Sequence, residues 1–222
     1  MAEAGRYKRW SLALFRGFIG DSVLEVGVGD GGFRPLLPAS SRYVGLDVDA
    51  DLLDRVRLEN PGGRYVLADI QDPDLLAAVG GQGFDTVLCF NVLEHVEEDG
   101  LAVRNLLSVL RPGGHLLLFV PAHQALFNDL DRLAGHLRRY TIDDVRALVP
   151  GHHAILLLGY VNPIGAAGWW ANNFRRHESL EERGVRWQVI LFDRLALPLS
   201  RLLTPLTRRL FGQSVAAVVR KP

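Results

Sequence analysis

The feature that most constrains this chain is an alternation over its first two thirds: short, almost wholly apolar runs separated by longer segments with apolar residues at helical spacing. Such alternation builds βαβ units around a parallel sheet. A strand covered on both faces needs apolar side chains at nearly every position, whereas a crossover helix needs only one apolar stripe. The predicted strands are Val23 to Gly27, Tyr43 to Asp47, Tyr65 to Asp69, Phe84 to Phe90 and His115 to Val120, with His153 to Tyr160 and Ser214 to Arg220 as the last two. Helices are predicted at Gly32 to Leu37, Asp51 to Leu58, Pro73 to Val79 and Gly100 to Leu110, the last stopped by Arg111-Pro112-Gly113-Gly114. A further helix starts at a cap-like Thr141-Ile-Asp-Asp and runs to Val149. The expected fold class is a doubly wound α/β sheet in a single domain, residues 1–222.

At 222 residues the chain has the length of one domain, and 48% hydrophobic against 23% charged residues is enough apolar material for a full core. Lys plus Arg equal Asp plus Glu at 25 each, so no global positive field draws the chain onto nucleic acid, and a nucleic-acid partner is disfavoured. The lone cysteine, Cys89, lies in an apolar run, which leaves no disulfide framework and implies a reducing compartment. Leu12 to Ile19 is apolar but is broken by Arg16 and too short to span a bilayer. The expectation is a cytoplasmic protein.

Val23-Leu24-Glu25-Val26-Gly27-Val28-Gly29-Asp30-Gly31-Gly32 reads as a strand entering a glycine-rich turn, where backbone can approach a ligand closely. Gly27, Gly29 and Gly32 also satisfy G-x-G-x-x-G, and Asp47 stands where a nicotinamide enzyme places its ribose-binding acid, so the loop alone does not choose a cofactor. Glu25, two residues before the first glycine, makes the pattern E-x-G-x-G-x-G.

With that acid the segment resembles the first motif of the class I S-adenosylmethionine-dependent methyltransferases, and four further stretches extend the resemblance. Gly45-Leu46-Asp47 is similar to the family's second-strand acid, which binds the ribose hydroxyls; Ala68-Asp69-Ile70 is similar to its adenine-contacting pair. Phe84 to Val96 resembles its fourth strand and following loop, and Leu110 to Val120 the turn into its fifth strand. The resemblance implies a Rossmann-like seven-stranded sheet, mostly parallel with an antiparallel last strand. It also implies S-adenosylmethionine bound by Glu25, Gly27, Gly29, Gly31, Asp47, Val48, Asp69, Ile70 and Asn91. Gly27, Asp47, Asp69 and Asn91 fall at or beyond the carboxyl ends of the predicted strands, where open α/β sheets bind ligands.

Methyl transfer is an in-line displacement at an activated carbon, so the protein aligns the acceptor and, for a hydroxyl, removes its proton. A histidine suits that removal. His95 after the fourth strand and His136 after the fifth are the candidates, with helix capping the plainer role for His95. Asn91-Val92-Leu93-Glu94-His95 with a later His136 also resembles the Glu-x-x-Glu-His and distant-His cluster of small-RNA 2′-O-methyltransferases. Ubiquinone-pathway O-methyltransferases carry a similar divalent-metal cluster. Asn91 stands in place of the first Glu, which weakens a hard-cation site, so no metal is expected. Arg139 and Tyr140, beside Arg138, are candidates to grip an anionic acceptor.

About fifty residues, 161–212, separate the last two predicted strands, far more than a tight connection needs. Trp169, Trp170, Phe174, Trp187 and Phe192 concentrate there, with leucines at roughly helical spacing among arginines, while Pro198 and Pro205 should interrupt any single long helix. Acceptor lid, dimer interface and contact with the inner membrane face are the three readings; Trp169 and Trp170 line the acceptor in the first. The whole reads as O-methyl transfer to a small, partly apolar or lipid-linked molecule. C- or N-methyl transfer, a nicotinamide-dependent oxidoreductase and a non-catalytic S-adenosylmethionine-binding module are the alternatives.

Overall fold

The structure, a computed structural model, describes residues 5–29, 32–39, 42–81, 83–171 and 196–222. Its frame is a sheet of strands β1 (Ser22–Val26), β2 (Arg42–Asp47), β3 (Arg64–Leu67), β4 (Phe84–Phe90), β5 (Leu110–Pro121), β6 (Ala154–Val161) and β7 (Ser214–Arg220). Their order is β3-β2-β1-β4-β5-β7-β6. Pairing is parallel from β3 to β5, and β7 runs antiparallel to both β5 and β6, as the resemblance implies.

Alternate side chains of each strand feed two cores. Leu24, Val26 and Leu46 face α3 (Leu75–Ala78), α4 (Asp99–Ser108) and α6 (Ile142–Leu148) through Leu75, Leu106 and Val145. Val23, Tyr43, Leu88 and Phe119 face α1 (Gly5–Ala13) and α2 (Ala50–Glu59) through Trp10, Leu53 and Val56. Burial on both faces is why the strands read as unbroken apolar runs. The Thr141 cap is a full capping box, with Asp144 doing what Glu usually does.

Two expectations are corrected. Gly32 to Leu37 is not a helix; within the described residues only a 3-10 turn, Arg34–Leu36, forms there, because Pro35 and Pro38 leave too few N–H donors for helical turns. Gly100 to Leu110 ends earlier, at Ser108, and β5 already starts at Leu110: residues 111–114 loop out opposite Asp85, between the pairs Phe84–Leu110 and Thr86–His115. At the N-terminus, Leu12 falls in α1, whose Trp10 and Leu12 pack on the sheet.

The long connection before β7 is described at its two ends, α7 (Pro163–Trp170) and α8 (Leu197–Thr207). Asn162 ties them: its Oδ1 accepts from Ser200 Oγ at 2.6 Å, and its N–H donates to Thr204 Oγ1 at 3.3 Å. Pro198 sits in the first turn of α8 and Pro205 inside the helix. Phe174, Trp187 and Phe192 lie outside the described residues.

Candidate active site

The carboxyl ends of β3, β2, β1 and β4 lie side by side and carry Asp69, Asp47, Gly27 and Asn91 on the turns that follow or end them. Gly27 and Gly29 adopt φ of +67° and +53°, which L side chains rarely tolerate. A Cβ on Gly27 would clash with Val92 Cγ2, whereas among the described residues one on Gly29 would meet only Gly27 O, at 3.9 Å. The first glycine is therefore required by packing against the loop after β4, and the second faces open space. The turn is pinned to the end of β2: Gly27 N–H donates to Leu46 O at 2.8 Å, and Asp47 accepts from Gly29 N at 3.3 Å and Val48 N at 2.8 Å.

Val48 is 68% exposed beside that carboxylate, an apolar side chain left uncovered at a polar edge. Asp69 is exposed, with Oδ1 held by the N–H of Gln71 at 2.8 Å, while Ile70 is buried. Open space at Gly29, a carboxylate held by backbone and an uncovered apolar side chain fit an adenosyl group, whose ribose diol needs an acceptor and whose base needs an apolar bed. Glu25 is placed differently: it is buried and its Oε2 accepts from the Tyr43 hydroxyl at 2.7 Å. Burial, followed by the Glu25 charge, pushes the Tyr43 hydroxyl pKa far up. Gly31 lies outside the described residues.

Asn91 turns the chain sharply after β4 with a left-handed φ of 53°. The turn launches a 3-10 segment, Leu93–His95, and sets His95 and His136 ring to ring, centroids 4.8 Å apart. His136 Nδ1 lies 2.7 Å from Asp131 Oδ1, and His95 Nδ1 lies 3.2 Å from Gly135 O. Acceptor oxygens at both Nδ1 atoms place the proton there and leave each Nε2 as a base. Burial, then the neighbouring His136, lowers the His95 pKa.

Asp131 belongs to a capping box with Asn128 at the start of α5 (Asp129–Leu133) and is completely buried. Burial alone would raise its pKa, but hydrogen bonds from His136 and Arg139, with the Arg139 charge, hold it below the usual value. Arg139 forks onto it through Nε and Nη2, both at 3.0 Å, and Trp169 Nε1 reaches it at 3.3 Å. The Arg139 guanidinium also stacks 5.1 Å above the Trp169 ring.

This inward network corrects the expected grip on an acceptor: Arg139 is 5% exposed and its donors serve Asp131 and Ala122 O. Tyr140 is buried too, its hydroxyl 2.9 Å from Leu93 O and 3.0 Å from Asp99 Oδ2. Trp169 is half-buried in the same network and Trp170 is 53% exposed.

Glu94 sits beside the two histidines with 0% exposure; among the described residues neither carboxylate oxygen has a hydrogen-bond partner, and Oε1 lies 3.9 Å from His136 Nε2. Burial pushes its pKa up to about 8. Glu94, His95 and His136 each offer one ligand atom, and these atoms lie within 4.8 Å of one another. One carboxylate and two imidazoles suit a borderline transition-metal ion better than Mg²⁺, which prefers oxygen. Sequence reasoning missed Asp131; its signal was a short Asn-x-x-Asp cap five residues before a histidine.

Residues 24–118 match a family described as a methyltransferase domain. The chain is 32% identical over 102 residues to a ubiquinone biosynthesis O-methyltransferase of Proteus mirabilis, across 45% of this chain and 42% of that protein. It is 35% identical over 116 residues to an uncharacterized methyltransferase of Mycobacterium bovis, across 51% of this chain and 57% of that one. The chain thus spans about half the length of the curated relatives it matches. Among solved structures, the N-methyltransferase NodS from Bradyrhizobium japonicum, in complex with S-adenosyl-L-homocysteine, has the same fold, with a TM-score of 0.60 at 16% identity over 97% of this chain and 86% of that one.

Proposed function

We propose that this chain, a member of the class I S-adenosylmethionine-dependent methyltransferase family, methylates a hydroxyl of a small, partly apolar or lipid-linked acceptor, with His136 as the base. The observation that carries the reading is the His136 imidazole held by a buried carboxylate at 2.7 Å. The O-methyltransferase name of one relative supports the choice of oxygen; the N-methyltransferase name of a structural neighbour, at 16% identity, bears on fold alone.

Bound S-adenosylmethionine supplies an electrophilic methyl on a sulfonium. Asp47, Asp69 and the Gly27–Gly29 turn would hold it at the strand ends, with Val48 along the base, Ile70 in the core behind Asp69 and Asn91 on the turn after β4. His136 Nε2 would take the proton of the acceptor hydroxyl, and the Asp131 carboxylate would stabilise the imidazolium. His95 packs against the His136 ring. The connection 161–212 acts as the acceptor-side lid, with Trp169 and Trp170 at its described end, and the protein works peripherally at the inner membrane face.

The buried Glu94 carboxylate beside two imidazoles favours a second reading, in which Glu94, His95 and His136 would hold a divalent cation that lowers the pKa of the acceptor hydroxyl. Transfer of label from methyl-labelled S-adenosylmethionine into an extract of the source organism tests the proposal, with the product partitioned between organic, aqueous and precipitable fractions. Organic-phase label that survives chelation of metals is expected. Label confined to RNA or protein contradicts the acceptor class, and loss on chelation, restored by one cation, selects the second reading.

A further inference from the structure

We infer that α1 and α8 together form a docking surface for an anionic phospholipid bilayer. The helix α8 buries Leu197, Ser200 and Thr204 against the protein. Its opposite side carries Leu199, Leu202, Leu206 and, just past its end, Leu210, which are 51%, 72%, 78% and 78% exposed. Positions three, four and four apart fall on one stripe of a helix, so the exposed leucines are a continuous apolar band and not scattered single residues. Solvent-facing leucines of this density need a partner.

Charge on the same surface says which partner. The chain as a whole is balanced at 25 basic and 25 acidic residues, yet segments 5–19 and 196–212 contain Arg and Lys and no Asp or Glu. The two segments meet: Arg201 donates to Arg6 O at 3.4 Å, and its guanidinium lies 6.0 Å over the Trp10 ring. Two shallow grooves flank the band. One, about 420 Å³, is lined by Arg6, Arg9, Trp10, Leu197, Pro198 and Arg201; the other, about 430 Å³, by Pro205, Leu206, Arg208, Arg209 and Leu210. Each sets guanidinium groups next to apolar side chains, which matches a phosphate headgroup above an acyl chain.

A second copy docking through the same face would bring arginines against arginines. No helix among the described residues is long and apolar enough to cross a membrane, so the contact is interfacial. Tyr7 of α1 packs edge-on to Phe119 of β5, centroids 6.3 Å apart, and Phe119 stacks on Phe90 at the end of β4, so α1 is anchored on the sheet. Docking there accords with the lipid-linked reading of the acceptor. It does not depend on methyl transfer, since vesicle partition is read whatever the chain methylates.

The test is co-sedimentation of the full chain with vesicles of phosphatidylcholine alone or mixed with phosphatidylglycerol, alongside Leu202→Ser/Leu206→Ser and Arg208→Ser/Arg209→Ser. All three proteins are checked for S-adenosylhomocysteine binding and melting temperature, so that misfolding is recognised. We expect partition onto the phosphatidylglycerol vesicles only, weakened when salt rises well above about 0.1 M, and reduced about tenfold or more by each double substitution. Absence of the parent chain from anionic vesicles, or partition that neither double substitution alters, overturns the inference. So does a dimer that Leu202→Ser/Leu206→Ser dissociates without any vesicle binding, which would assign the band to a second copy.

Discussion

The Asp131 carboxylate lies 2.7 Å from Nδ1 of His136 and is clasped from its other side by the Arg139 guanidinium. A histidine held this way has one tautomer and one ring orientation, which leaves Nε2 unprotonated as a base, 3.9 Å from Glu94 Oε1. Burial raises the Asp131 pKa, and the His136 hydrogen bond, then the Arg139 charge and its hydrogen bonds, bring it below the ordinary value.

Asp131→Asn keeps the shape and removes the charge. Turnover is expected to fall by about 10²-fold or more, with S-adenosylhomocysteine affinity unchanged and the acid limb of the kcat–pH profile displaced. His136→Gln should lose at least as much. A rise in KM alone, or an unchanged pH profile, would place the pair in structural support and not in proton transfer.

Glu94 supplies a pH dependence of opposite sense from an ion-paired acid. Its pKa in the folded chain is about 8 against an ordinary 4.5, so over that window the folded state keeps a proton that the unfolded state has released. The stability this proton contributes is fully present below about pH 4.5 and is lost as pH rises through 8. Glu94→Gln should melt higher than the parent near pH 7, by a difference on the order of 3 kcal/mol that shrinks towards acid. Denaturation in chelator-containing buffer across this range checks it; parallel curves for the two proteins contradict it.

The two loop glycines should behave differently. Gly27→Ala clashes with Val92 Cγ2 in addition to its positive φ, so a loss above about 2 kcal/mol is expected. Gly29→Ala faces open space and carries only the conformational cost of about 1–2 kcal/mol, with weakened cofactor binding as its main effect. Paired urea unfolding curves and titrations with S-adenosylhomocysteine separate the two.

Strands β4 and β7 read residue for residue from the chain because apolar and β-branched side chains fill nearly all of their positions between two helical layers. β5 was read short because Pro112-Gly113-Gly114 signals a turn, and in sequence a loop inside a strand looks the same as a loop before one. The cofactor turn was legible because its demands are local: positive φ and close approach leave glycine as the residue of choice. The proton relay was not. Asp131, Arg139 and Trp169 come from three elements, and only their burial against each other shows that Arg139 turns inward where its neighbours in sequence suggested an open grip.

The most direct test of the account is calorimetric titration of the chain with S-adenosylhomocysteine and, separately, NAD, repeated on Asp47→Ala. Binding of S-adenosylhomocysteine at one site, at least about tenfold weaker in the variant and with no heat from NAD, is the predicted result. Binding of NAD with none of S-adenosylhomocysteine would contradict it and return the glycine turn to nicotinamide chemistry.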